Sequence, residues 1–374
     1  MKQEIRSLTG LRGLAAVLVM FYHYNSYNLI PQGFAYTFVR HGYLMVDLFF
    51  VLSGYVMAMT YGRMFQGHFS WVVFYTFLTR RIARIYPLYI LMIIPAAVLI
   101  ATGWMDRWPG PPVHVSAIIN LTMLQSLINI PTLNTPGWSI STEWFAYLIF
   151  PLLAFFCLRS TKWAVVIISL FLLFALPYMT TINTLVDEPK RAGILDIWNY
   201  GTVYPIVRCL IEFSMGMIAY RATQIKSVRN LLGSNAISLV IAIGIIITMC
   251  IKQADILFAF LLPLFMIAIS QSYNITSKFL SIRPIYWLGE LSFAIYMIHD
   301  VMIYFIVALA RWLAAKGVTE HTAMLIFTLL FGFIVIGLSQ IAYSYIEKPA
   351  RKWTRRLLKS DQLQSRLPDE AKFT

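Results

Sequence analysis

Leu8-Thr9-Gly10-Leu11-Arg12-Gly13-Leu14-Ala15-Ala16-Val17-Leu18-Val19-Met20-Phe21-Tyr22-His23 is the stretch on which the fold turns. It is an apolar helical run with one cation near its start and one imidazole near its end. Arg12 and His23 stand about 16 Å apart along a helix that rises about 1.5 Å per residue. Their spacing is close to three turns, so both project from one side. Ionisable groups at membrane depth cost several kcal/mol unless paired or wetted, which makes them functional candidates by default. The run continues past Tyr22 and no small-x-small cleavage site follows. It is therefore expected to be a first span that stays, not a cleavable signal peptide.

The rest of the chain has the same character. Of 374 residues, 59% are hydrophobic and only 12% charged, with a mean hydropathy of +0.70. A soluble domain carries about 25% charged residues, so there is too little charge to coat two or three soluble domains of this total length. Stretches adequate for a span of roughly 20 residues lie at 9–28, 43–61, 85–103, 138–158, 163–182, 202–220, 236–251, 255–273, 285–310 and 322–346. A further stretch, 115–130, carries Ser116, Asn120, Thr122, Gln125, Ser126 and Asn129, too polar to face lipid. The expectation is an all-α polytopic membrane protein of about ten transmembrane helices, with a short polar re-entrant or cavity-lining helix near 115–130. No matched pair of broken helices marks an inverted repeat.

The net charge of +14 fits the same picture. With both termini cytoplasmic, 22 of the 30 Lys and Arg residues fall on the inner side and seven on the outer, leaving Arg208 within a span. Reading 115–130 as a full span would invert the later loops and abolish this bias. The basic excess is thus topological, and no nucleic-acid partner is expected. Cys157, Cys209 and Cys250 each sit in apolar surroundings without Cys-x-x-Cys spacing, so neither a disulfide framework nor a metal site is expected.

Polar residues recur where they are expensive. Asp47 lies about one turn into the second span, where a carboxylate can orient an imidazole or hold a polar helix junction; Ser53 and Gly54 permit close packing. Arg80, Arg81 and Arg84 gather at the inner entrance of the third span, Arg80 and Arg84 on one face. With Arg12 they form a phosphate-binding cluster, or they hold lipid headgroups. Trp138-Ser139-Ile140-Ser141-Thr142-Glu143 opens the fourth span, with Glu143 near enough to the start to act as a capping residue. Ser292, Tyr296 and His299 share one face of the ninth span, and Arg208 and Glu212 stand at i, i+4 on the sixth.

Together these segments resemble the acyltransferase-3 family of integral-membrane O-acyltransferases, in its stand-alone form without a fused extracytoplasmic domain. The resemblance rests on Arg12 with His23; Val46-Asp47-Leu48-Phe49-Phe50-Val51-Leu52-Ser53-Gly54; Arg80-Arg81-x-x-Arg84-x-x-Pro87; Trp138-Ser139-x-x-x-Glu143; Gly289-x-x-Ser292-x-x-x-Tyr296-x-x-His299; and Tyr345-Ile346-Glu347-Lys348-Pro349. Phe293 and Ile140 depart conservatively from the family pattern. The resemblance implies a membrane acyltransferase domain over 1–350, a basic and polar cytoplasmic tail over 351–374, and residence in the inner membrane. It implies transfer of an acyl group, acetyl by expectation, from cytoplasmic acyl-CoA to a hydroxyl of a cell-surface or lipid-linked sugar. No permanently bound cofactor is implied; acetyl-CoA is a co-substrate.

On that resemblance His23, Asp47 and Glu143 are the catalytic candidates, with His23 the general base and a carboxylate orienting its ring or binding sugar. Arg12, Arg80, Arg81 and Arg84 would hold acyl-CoA; Trp138, Ser139, Ser292, Tyr296 and His299 would line the cavity or meet the acceptor. Direct transfer and an acyl-enzyme both stay open, as does a homodimer in the lipid bilayer. Two other readings stand beside it: a transporter of an anionic or glycan-linked substrate, which would use the same buried charges for proton coupling, and a non-catalytic component of a glycan-assembly complex.

Overall fold

The computed structural model describes residues 5–25, 33–65, 69–104, 110–182, 193–196, 202–270 and 273–358, and all regular structure among them is helical. In chain order the helices are α1 (Arg6–Tyr24), α2 (Phe34–Arg40), α3 (Met45–Tyr61), α4 (Trp71–Ala101), α5 (Val113–Leu121), α6 (Gly137–Leu148), α7 (Phe150–Ala154), α8 (Lys162–Thr180), α9 (Tyr204–Ala222), α10 (Lys226–Leu232), α11 (Asn235–Thr248), α12 (Asp255–Ile269), α13 (Ile275–Leu280), α14 (Arg283–Ala314), α15 (Glu320–Ala342) and α16 (Lys348–Leu358). Side-chain caps start several of them: Thr161 accepts from the Ala164 amide and Asn274 from the Ser277 amide.

A helix lies on each of the ten apolar stretches. Judged by length and apolarity alone, five helical segments among the described residues can cross a membrane, or up to seven if each sharply bent pair is one span. One such pair is α6 with the segment Phe150–Arg159, bent by 65°, where Pro151 removes a backbone donor at the break. α1 and α9 are carried by burial against neighbours rather than by their own apolarity. At the other extreme, α8 turns Trp163, Ile167, Phe171, Phe174 and Tyr178 outward, the apolar exterior that a lipid-facing helix requires.

Two backbone-close helix pairs form the centre: α1 with α14, and α3 with α9. A Cβ on Gly289 would overlap the Thr9 carbonyl, and one on Gly54 would overlap the Phe213 carbonyl. Small residues at such crossings let helices approach to backbone contact. Gly289→Ala is therefore expected to force α1 and α14 apart and to destabilise the protein by about 1–3 kcal/mol, the usual scale of overpacking. A lowered midpoint in denaturant unfolding of the detergent-solubilised protein checks this; an unchanged midpoint contradicts it.

The polar stretch near 115–130 makes the nine-residue helix α5 and then turns, with Met123 and Asn129 in left-handed conformation (φ 55° and 58°). At about 1.5 Å per residue α5 is too short to cross. Its amides bind protein. Asn120 donates to the Ser116 and Pro131 carbonyls and accepts from the Leu133 amide; Gln125 donates to Tyr89 Oη and the Gly137 carbonyl. This network ties the 131–137 segment to α4 and so fixes where α6 begins.

α4 begins at Trp71, well before the apolar stretch, so Arg80, Arg81 and Arg84 sit inside a long helix rather than in the loop before it. At the other end of the chain α16 is helical through residues 351–358 and packs on α4; residues 359–374 of the expected tail lie outside the described residues.

Candidate active site

α1 and α14 run parallel, and that one packing choice brings both polar ends of the first helix to partners. At one end Arg12 Nε donates to Ser292 Oγ (2.6 Å) and its Nη2 to the Gly289 carbonyl (2.8 Å). Gly289 and Ser292 can receive it because the helix surface there carries almost no side chain. About three turns on, His23 Nδ1 meets His299 Nε2 at 2.8 Å, the two rings stacked with centroids 5.0 Å apart.

The acceptors around this pair settle its protons. His299 Nδ1 lies 3.1 Å from the Ile295 carbonyl, which can only accept, so that nitrogen carries a hydrogen. In a neutral ring, His299 Nε2 then has the lone pair and accepts from His23 Nδ1–H. His23 Nε2 is left with a lone pair, the form a general base or nucleophile needs. His299, expected to line the cavity or meet the acceptor, is the side chain hydrogen-bonded to the His23 ring, a place that sequence reasoning had offered to Asp47 or Glu143.

Beside the histidines, Tyr296 Oη donates to Ser139 Oγ (2.7 Å), which donates onward to the Pro136 carbonyl (3.0 Å). Trp138 packs edge-on against Phe50, and Phe49 edge-on against Tyr296. Asn134 donates to the Met297 carbonyl, while Asp300 accepts from the Thr135 amide. The start of α6 is therefore pinned to α14 on either side of His299.

Further along α6, toward the arginines, the Glu143 carboxylate accepts from Ser53 and, at 2.5 Å, from Tyr147 Oη. Glu143 is not capping its helix. Arg81 lies over the Tyr61 and Tyr147 rings, donates to Tyr61 Oη at 3.0 Å, and feels the charge of Glu143. Ser53, assigned to packing by sequence, and Tyr147 are polar members of the site that the sequence reading missed. The i, i+4 spacing of Glu143 and Tyr147 was the available signal.

Arg84 gathers the rest of the arginine end. Arg12, Arg81 and Arg351 are all near enough to repel it, and Glu347 near enough to attract it. Arg80 is similarly placed among Arg81, Arg355 and Tyr61. The four expected arginines do converge, and α16 adds cations that were not foreseen. Read from the arginines, the polar groups run in order: Arg12 and Arg84, then Arg81 with Tyr147 and Glu143, then Ser139 with Tyr296, and last the histidine pair.

Asp47 stands apart from this series. It is fully buried and holds Arg208 through both carboxylate oxygens, to Nε at 2.9 Å and Nη2 at 2.5 Å. Glu212 lies 3.7 Å from the same guanidinium. The intrahelical Arg208–Glu212 approach exists, but the hydrogen-bonded partner is Asp47, across the α3–α9 crossing. Of the two readings of Asp47, the polar helix junction is the one the geometry builds.

The family model described as an acyltransferase domain, that of acyltransferase-3, matches residues 5–344. Acyltransferase MdmB of Streptomyces mycarofaciens is 34% identical over 157 residues, covering 40% of this chain and 39% of that protein. Peptidoglycan O-acetyltransferase OatA of Listeria monocytogenes is 24% identical over 394 aligned positions, 94% of this chain and 56% of its own length. O-acetyltransferase OatA of Staphylococcus aureus is 23% identical over 373, covering 92% and 57%. The chain thus spans from 39% to little more than half of the length of these curated relatives. No solved structure matches it. The motifs that form the polar series all lie on helices within the matched region or just beyond it, and the chain belongs to the acyltransferase-3 family.

Proposed function

We propose that the protein is a membrane O-acyltransferase that moves an acyl group, acetyl by preference, from acyl-CoA to a hydroxyl of a cell-surface or lipid-linked polysaccharide sugar. The observation that carries this reading is the polarity of the site: guanidiniums at one end, suited to nucleotide phosphates, and a histidine pair about 16 Å further along one helix. The O-acetyltransferase names of two relatives support it. Both termini are taken as cytoplasmic in an inner membrane, which puts the arginines where a cytoplasmic CoA ester can reach them.

In the proposed reaction His23 Nε2 takes the proton of the acceptor hydroxyl as its oxygen attacks the thioester carbonyl. The C–S bond breaks as the tetrahedral intermediate collapses, and the imidazolium returns its proton to the departing CoA sulfur. His299 accepts from His23 Nδ1–H throughout, so that His23 Nε2 is the atom that takes and returns the proton. Glu143, Tyr296 and Ser139 lie between the two ends, where they would meet the pantetheine arm or the acceptor. No step requires a cofactor beyond the co-substrate.

Purified protein supplied with acetyl-CoA and a surface-glycan acceptor is expected to release free CoA thiol and to yield an O-acetylated glycan by mass analysis. A transporter or a non-catalytic subunit would release no thiol, and that result would overturn the proposal.

A further inference from the structure

The Tyr345–Pro349 motif has no part in the reaction described so far, yet its buried member Glu347 lies against the arginine end. α15 passes into α16 through a π-helical turn, Tyr343–Glu347. A π turn inserts one residue into the helical ladder, and one residue rotates everything after it by about 100°. Here the rotation turns Glu347 and Arg351 toward α4, while Tyr345 and Trp353 face outward. Tyr343 braces the turn: its Oη donates to Glu290 at 2.7 Å, and Lys348 Nζ sits 4.6 Å from its ring centre.

Glu347 is buried and accepts from Arg351 Nη2 at 2.5 Å. Its other oxygen has no hydrogen-bond partner, and neither does Arg351 Nε nor Arg81 Nε, all of them buried. Around them stand Arg12, Arg80, Arg84 and Arg355. Among the described residues Glu347 attracts Arg84 while Arg351, Arg12 and Arg81 repel it, so the cluster holds a surplus of positive charge, with the Nε donors of Arg81 and Arg351 still unsatisfied. A low-dielectric site of that kind is costly unless a multiply charged anion enters it.

We propose that α16 is the closing wall of the nucleotide site, and that Arg351, positioned by Glu347, binds a phosphate of the acyl-CoA donor. The inference rests on the acyl-CoA reading above and assigns to it a ligand from the far end of the chain. An anionic lipid headgroup offers the same phosphate chemistry, so lipid and nucleotide must be separated by experiment.

The test is equilibrium binding of CoA to the full-length protein in neutral detergent, beside acetyl-CoA kinetics, for the unmodified chain, Arg351→Gln, the double variant Glu347→Gln/Arg351→Gln, and Lys352→Gln on the exposed side of α16. Loss of one charged hydrogen bond is expected to weaken CoA binding about 10–100-fold in both Arg351 variants. The acetyl-CoA KM should rise in parallel, with kcat and the acceptor KM little changed, and Lys352→Gln should match the unmodified protein. The double variant removes both charges of the buried pair and keeps the net charge of the cluster, and a denaturant midpoint equal to that of the unmodified protein separates its loss of affinity from misfolding. Unchanged CoA affinity in the double variant overturns the proposal. So does an Arg351 effect seen only as lost stimulation by phosphatidylglycerol over phosphatidylcholine vesicles, which assigns the residue to lipid. Failure of the unmodified protein to bind CoA at all overturns the acyl-CoA reading itself, a distinguishable result.

Discussion

His23→Ala is expected to give a protein that folds, binds CoA and transfers acyl groups about 10²–10⁴-fold more slowly, the range over which a positioned general base contributes. The prediction follows from the proton arrangement: the Ile295 carbonyl fixes His299, and His299 fixes His23. It extends to the second histidine. His299→Leu removes the acceptor for His23 Nδ1–H, so kcat should fall while both KM values stay near their original levels. His299→Gln offers an amide oxygen at the same place and should recover part of the loss. If His299 served packing alone, Leu would be the better substitute and the order would reverse. Normal transfer by a folded His23→Ala protein would falsify the mechanism.

The largest effect on stability is expected at Asp47. Breaking a fully buried ion pair by removing one partner costs about 3–5 kcal/mol, because the other charge is left unpaired. Asp47→Ala should therefore sharply lower the yield of folded protein and its midpoint in denaturant unfolding. Replacing the whole group by apolar or neutral residues of similar size often restores stability. The triple variant Asp47→Leu/Arg208→Met/Glu212→Gln is accordingly expected to recover most of the loss. The same pair of variants tests the role of Asp47. A helix-junction residue predicts that transfer activity returns with stability in the triple variant. A catalytic carboxylate predicts a stable, inactive triple variant, which would overturn the structural assignment made here.

The sequence carried the membrane class and the helices well, because apolar runs of about 20 residues are a local property. It also carried the residue types of the site. What it did not carry was pairing. His23 and His299 are separated by 276 positions, and Asp47 and Arg208 by 161. Nothing in either local sequence says which imidazole or guanidinium will arrive opposite. Sequence reasoning therefore left Asp47 between an imidazole and a polar helix junction, and the α3–α9 crossing at Gly54 delivers it to Arg208. The arginine cluster was legible as positive-inside charge and as a phosphate site, but only in the members that lie close together. Arg351 escaped because its orientation depends on a π-helical turn, and no spacing rule based on 3.6 residues per turn anticipates the added residue.

The parallel seating of α1 on α14 has a consequence for biosynthesis. α1 leaves the ribosome well before α14, and among the described residues it is not one of the helices apolar enough to cross a membrane on composition alone. The partners of Arg12 and His23 are made some 276 residues later, roughly 15–55 s at bacterial elongation rates. During that interval the nascent chain carries a cation and an imidazole without the α14 surface that will receive them. The packing of α1 into the bundle is therefore completed only after α14 has been made. Chains that end before α14 leave α1 without the partners that Arg12 and His23 find in the folded protein.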